Sequence, residues 1–172
     1  MMQQSLLADR FDLKVHFETR EMPIFELVPA KGGLKITPVD PPQPGDGWKP
    51  TKPGELRPGN MNLSVGSNGL NILNARATTL DLFLNGIRGQ APELRGRPIV
   101  SRTGFTGTFD LNDFRFVGLA YTGGLPGTGN ASEPDAPSVE QALEQQLGLK
   151  LVPAKGQVEV VVIDSIDRPT EN

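Results

Sequence analysis

Cysteine is absent from this chain of 172 residues. Its absence excludes disulfides, thiolate metal sites, cysteine nucleophiles and a redox role, but it does not fix the compartment, because many exported bacterial proteins also lack cysteine. Histidine occurs once, as His16, so a histidine-rich zinc site is impossible and any Ser-His-Asp triad would have to use that side chain. Aromatic residues make up 6% of the chain, with Trp48 the single tryptophan. Basic charge is not in excess: 17 Lys and Arg against 20 Asp and Glu give a net charge of −3, and the pI is near 5.2. Nucleic acid and anionic membranes demand a dense basic field, so neither is expected as a partner. No apolar run approaches the roughly 18 residues of a membrane helix. The opening Met1-Met2-Gln3-Gln4 has neither the basic nor the apolar stretch of a signal peptide, so the chain as given reads as soluble.

Turn formers are abundant, with 20 Gly and 16 Pro, which predicts many turns and at least one long irregular segment. Thr37 to Asn60 holds seven prolines and four glycines and reads as a long loop that forms neither ladder nor helix, with Trp48 pinning it to the body. Gly118 to Pro137 reads as a second, flexible linker. The length suits one compact domain around an adequate core.

Between these segments the apolar residues are periodic. Gln3 to Phe11 carries Leu6, Leu7 and Phe11 at helical spacing. Leu13, Val15 and Phe17 alternate with polar residues as a strand, Thr19 to Glu21 is expected to turn, and Met22 to Val28 returns as a second strand ended by Lys31-Gly32-Gly33. A short piece, Leu34 to Ile36, follows. Asn62 to Val65 and Leu70 to Leu73 flank Ser67-Asn68-Gly69, a strong hairpin signal. Leu80, Phe83, Leu84 and Ile87 form a helical stripe with Thr78 or Thr79 as cap and Asp81 in the first turn. Pro98 to Ser101 and Thr108 to Phe116 are expected to form strands about the Gly104 to Gly107 turn. Ser138 and Gln141 fit a capping box, Gly148 ends the helix carrying Val139, Ala142, Leu143 and Leu147, and Leu149 to Val152 with Val158 to Ile163 are expected to form a hairpin across Pro153 to Gln157.

Leu7, Phe11, Leu13, Lys14, Met22, Ile24 and Leu27 recur at a constant offset as Leu143, Leu147, Leu149, Lys150, Val158, Val160 and Ile163. With the middle segment, the expected architecture is therefore α+β: three helix-strand-strand (αββ) units, at 1–36, within 61–117 and at 138–172, with antiparallel hairpins packed on helices.

No catalytic constellation emerges. His16 shares a polar strand face with Lys14 and Glu18, and no nucleophile-elbow sequence accompanies it. Asp110, Asn112 and Asp113 lack the ligand number and turn glycine of a calcium loop, so Asp110 is expected to bond backbone amides near a turn or strand edge. Arg88, Arg95, Arg97 and Arg102 read as a solvated face rather than a phosphate patch. Gly123 to Gly129 is not followed by Gly-Lys-Ser/Thr, as a phosphate loop would require. Asn62-Leu63-Ser64 and Asn130-Ala131-Ser132 match the short glycosylation pattern, which arises by chance. No cofactor and no metal site is indicated.

Three blocks, LLADRFDLKVHFETREMPIFELVPAKGG, GRPIVSRTGFTGTFDL and LEQQLGLKLVPAKGQVEVVVIDSIDRPTEN, resemble a soil-associated domain of unknown function that is frequent in soil bacteria. The resemblance implies an exported, extracytoplasmic protein. It also implies kinship in design with the short binding modules at the N-termini of secretins and TonB-dependent receptors, and some members look joined to membrane-bound metallopeptidase sensors. It brings no catalytic residues. Members also carry a signal sequence and earlier elements not seen before Met2, which sets the expectation of a fragment with an uncovered edge that self-associates. The leading expectation is a non-catalytic interaction domain that takes a protein, peptide or envelope component through its sheet or long loop. A hydrolase whose carboxylates meet only in the folded chain and a purely structural spacer are the alternatives.

Overall fold

A computed structural model describes residues 11–40, 49–50, 52–66, 69–119 and 136–166. The expected architecture is overturned: the described chain is mostly β, with seven strands in two sheets and two short helices. The strands are β1 (Lys14–Pro29), β2 (Pro38–Val39), β3 (Met61–Val65), β4 (Leu70–Thr78), β5 (Ile99–Ser101), β6 (Thr108–Val117) and β7 (Leu149–Ser165). The helices are α1 (Leu80–Arg88) and α2 (Val139–Ala142), the latter continued by a π-helical turn, Leu143–Leu147.

The error lies in two turns that do not form. Lys14–Pro29 is one continuous strand because Thr19-Arg20-Glu21 contains no residue suited to positive φ and period-two alternation runs straight through it. Leu149–Ser165 is likewise one strand, and Pro153 and Gly156 lie within it. Two identical hexapeptides make the point. Leu27-Val28-Pro29-Ala30-Lys31-Gly32 leaves the sheet in a turn, whereas Leu151-Val152-Pro153-Ala154-Lys155-Gly156 stays extended. The following residue differs. Gly33, at φ +76°, donates its N–H to the Ala30 carbonyl at 2.8 Å and closes the turn, a conformation Gln157 adopts only at a steric cost. The expected hairpin partners are thus halves of two long strands, and the two copies of the apparent repeat are neighbours in one sheet instead of separate units.

The middle unit fails for a different reason. β5 and β6 exist, but they belong to different sheets. β5 runs parallel to β1, Phe25 facing Ile99 and Leu27 facing Ser101, while β6 pairs antiparallel with β4 and β2. The sheet orders are β5-β1-β7 and β2-β6-β4-β3. β2 also places a short ladder within the stretch expected to hold none, Pro38 facing Phe109.

The chain divides into two compact units, one formed by 25–152 and the other by 1–24 with 153–172. In the first, α1 lays Leu80, Phe83, Leu84 and Ile87 into the core as its periodicity requires, and the Thr79 side chain caps it by accepting from the Leu82 amide. Phe83 meets Phe109 and Phe114 edge-on, at 6.0 and 5.2 Å between ring centres. The β3–β4 hairpin has the expected partners, with Val65 facing Asn71 and Gly69 at φ +82°. The capping box of Ser138 and Gln141 forms, and Val139, Ala142, Leu143 and Leu147 are all buried.

In the second unit the outer parts of β1 and β7 lie side by side. His16 meets Asp164 and Ile24 meets Gly156, so the two strands run antiparallel. Gly156 gives the Ile24 side chain its room here, because a Cβ would stand 2.5 Å from Ile24 Cδ1 and oblige that side chain to shift. Phe11 is helical, but Leu6, Leu7 and the rest of the expected first helix lie outside the described residues. So do Trp48, the Gly123 to Gly129 segment and Asn130-Ala131-Ser132.

Candidate functional site

The residues singled out for chemistry fall into separate structural roles. Asp110 and Asp113 mark two irregularities where β4 slips against β6. Ala77 and Asp113 each adopt positive φ, +46° and +58°, which turns an amide out of the ladder. The two freed amides are caught by side chains on the opposite strand: Asp110 Oδ1 accepts from Ala77 N and Asn74 Oδ1 accepts from Asp113 N, both at 2.8 Å. The expected role of Asp110, accepting from backbone, is correct in kind, but its donor is 33 residues away in sequence. The Asp113 carboxylate instead takes Arg115 Nε at 2.8 Å and raises the pKa of that guanidinium further. Among the described residues no cluster of three His, Asp or Glu side chains forms a metal site.

The four arginines do not converge on a common point. Arg95 donates to the Gly89 carbonyl at 2.7 Å, Arg97 stacks 5.2 Å over the Phe25 ring, and Arg102 reaches Glu26 at 3.4 Å. Among the described residues, Arg88 Nε is buried without a hydrogen-bond partner. Asn62 and Ser64, from the first glycosylation-like triplet, sit in β3, where the Ser64 hydroxyl donates to Asn62 Oδ1 at 3.4 Å.

His16 lies on the exposed polar face of β1, as expected. Alternation places it with Glu18 and Arg20 on one side of the strand, and the neighbouring strand brings up Asp164. Both ring nitrogens are occupied: Nδ1 contacts Asp164 Oδ1 at 2.8 Å and Nε2 contacts Glu18 Oε1 at 2.9 Å. Arg20 Nε in turn donates to Glu18 Oε2 at 2.7 Å. Bonding to Glu18, and secondarily to Asp164, raises the His16 pKa, while His16 and Arg20 lower that of Glu18. When protonated, a ring held at both nitrogens by carboxylates has no lone pair left to activate a nucleophile, and its contacts to Glu18 and Asp164 tether one strand to the other. Sequence periodicity places His16, Glu18 and Arg20 on one face, but the contribution of Asp164, 148 residues on, has no local signal.

The opposite face of the same ribbon is the most unusual surface of the described chain. Of seven large hydrophobic residues that are exposed among the described residues, four lie here: Val15, Phe17 (62% exposed), Val161 and Ile163 (60%). On the other face Met22, Val160 and Val162 are half-buried. A shallow depression bounded by Arg20, Glu21, Met22 and 160–163 lies across the two strands. Pairing is equally sparse. β5 covers β1 only from Phe25 to Leu27, so among the described residues β1 from Lys14 to Ile24 has β7 as its single neighbour, and β7 forms the outer edge of its sheet.

The direction of the free backbone groups follows from the covered part. Phe25 N donates to the Pro98 carbonyl and the Leu27 carbonyl accepts from Arg102 N. Odd-numbered residues of β1 therefore turn their amides and carbonyls away from β7, and alternation carries this back to Glu21, Thr19, Phe17 and Val15. Pro23 falls at an outward position, where its missing N–H costs no ladder bond. Pro153 blunts β7 in the same register. Both prolines stand at the inner end of the ribbon, leaving the apolar outer stretch unprotected.

Among the described residues no helix is long and apolar enough to cross a membrane. Searches of curated proteins and of solved structures find no significant match to the chain. Residues 1–166, covering both strands of the ribbon and the whole of the core just described, match a protein-family model, and the chain therefore belongs to the family described as protein of unknown function (DUF3738).

Proposed function

We propose that this chain is a non-catalytic interaction domain working outside the cytoplasm, and that it binds by adding a strand to the edge of the β1–β7 ribbon. The observation that carries this reading is the concentration of exposed apolar side chains, Val15, Phe17, Val161 and Ile163, on one face of a two-stranded ribbon whose edges have no described neighbour. Isolated two-stranded ribbons are marginal in water, and apolar patches on open strand edges mark surfaces completed by another chain. Strand addition uses main-chain hydrogen bonds for affinity and alternate side chains for specificity, and Phe17 and Ile163 are the side chains such a partner would cover. The extracytoplasmic address rests on the resemblance of the three sequence blocks.

Site-specific photocrosslinking in the native host tests the reading. A photoreactive residue at Phe17 or Ile163 is expected to yield discrete crosslinked species, and cell fractionation is expected to find them outside the cytoplasm. The same residue at Leu82, an exposed apolar position on α1, serves as control. Crosslinks no stronger at Phe17 and Ile163 than at Leu82 would remove the ribbon as a binding surface.

A further inference from the structure

We infer that the strand added to β1 is β1 of a second copy of this chain, paired antiparallel about His16 so that two ribbons join into a continuous sheet in the order β7-β1-β1-β7. This deepens the strand-addition reading and rests on it. The inference comes from register. Outward backbone groups in β1 belong to odd residues, so two copies can form a ladder only with odd residues facing odd ones, which removes every second alignment.

In one alignment Val15 faces Phe17 of the second copy and Phe17 faces its Val15. The even residues between them then meet as close, non-hydrogen-bonded pairs: Lys14 faces Glu18 of the other copy, twice by symmetry, and His16 faces its own counterpart on the two-fold axis. Sliding two residues one way sets Lys14 against Arg20, which offsets the gain from setting His16 against Glu18. Sliding the other way sets it against His16. Sliding further the first way sets Glu18 against Glu18 and His16 against Arg20. Like charges directly opposite destabilise a sheet and opposite charges stabilise it, which leaves this alignment and a slide of six residues that sets Glu18 against Arg20; that slide puts Val15 opposite Pro23, which lacks an N–H, and Phe17 opposite Glu21, so the first alignment is the one the two faces together select. Its central histidines are not bare cations, since each is already bracketed by Glu18 and Asp164 of its own ribbon.

The apolar face agrees with the polar one. In the same alignment Val15 and Phe17, exposed by 41% and 62%, cover one another across the axis, with Ile163 beside Phe17 on the neighbouring strand. The pairing is isologous, so it closes at two copies and does not propagate along the edge. β7 offers no comparable register: its apolar run Val158 to Ile163 contains one charge, Glu159.

The lack of cysteine makes the test clean. Opposed residues of a non-hydrogen-bonded antiparallel pair have Cα atoms about 4.5 Å apart, within disulfide range. His16→Cys is therefore expected to convert the chain to a covalent dimer under mild oxidation. Glu18→Cys alone is expected to form no disulfide-linked dimer under the same conditions, and a mixture of Lys14→Cys and Glu18→Cys chains is expected to form the mixed covalent dimer. This second pair leaves His16 in place and guards against a folding defect in the first variant. Sedimentation of the unaltered chain over a concentration series should shift from monomer to dimer mass, and Phe17→Pro, which removes one outward N–H while sparing the bonds to β7, should abolish the shift. A chain that remains monomeric at high concentration, or Glu18→Cys crosslinking as readily as His16→Cys, would overturn the inference. Heterologous crosslinks at Phe17 with a strictly monomeric chain would reject the second copy yet retain strand addition, and no crosslinks at all would reject both.

Discussion

Asp110 and His16 show how far a residue's chemistry can depart from its apparent promise. Asp110 belongs to a cluster that suggests a cation site, yet its carboxylate serves as acceptor for the Ala77 amide at the β4–β6 irregularity. Asp110→Ala is expected to destabilise the fold by about 1–3 kcal/mol, because a buried donor is left unpaired, whereas Asp110→Asn, which keeps an acceptor oxygen, should cost less; equal losses in chemical denaturation would refute this role. For His16 the sign is set by its raised folded-state pKa. Below about pH 6.5 the ring is protonated in folded and unfolded chains alike and the bridge to Glu18 and Asp164 contributes in full. As pH rises through the raised value, that contribution is lost. An NMR titration of the imidazole should show a midpoint above the ordinary histidine value, and Glu18→Gln should bring it down; a midpoint at or below the ordinary value in the unaltered chain would exclude the bridge.

At the level of elements, signals that are local in origin were readable. The α1 stripe of Leu80, Phe83, Leu84 and Ile87, the cap at Thr79, the box of Ser138 and Gln141 and the stop at Gly148 all follow from side chains within a turn or two of one another. Gly148 shows what lay beyond that range. Its φ of +66° is the expected left-handed cap, but a Cβ there would also stand 2.0 Å from the Gly33 carbonyl oxygen. Gly148→Ala is accordingly expected to cost more than the roughly 1–3 kcal/mol of backbone strain alone, since a main-chain atom has to move. Thermal unfolding would measure it, and a loss below about 1 kcal/mol would show that the loop yields freely. The turns at Thr19 to Glu21 and Pro153 to Gln157 were misread because a long strand and a hairpin share the same alternation; only positive-φ residues separate them, and neither segment has one where a turn needs it.

Across the whole molecule, the long-range arrangement of strands decided what short-range pattern left open. Phe83 is packed against Phe109 and Phe114 from β6, and Phe83→Ala is expected to destabilise the chain by about 3–5 kcal/mol, a shift that denaturant unfolding would detect; a loss under about 1 kcal/mol would mean that this cluster is not the centre of its unit. The candidate surface was only half visible beforehand. Alternation marked Val15 and Phe17 as one face and His16 as the other, but assigning the Val15 and Phe17 face to the interior hid its exposure. By itself, the sequence determined the composition limits, the absence of cysteine chemistry, the helix caps, the β3–β4 hairpin and the two-faced character of β1, because each depends on residue identity or on neighbours a few positions apart. Tertiary structure alone decided that β5 and β6 part to different sheets, that Asp110 serves an amide 33 residues away, and that β1 lies beside β7. Strand pairing is settled by which backbone groups find partners across the fold, and the free energy of that choice is shared among residues that local periodicity never brings together.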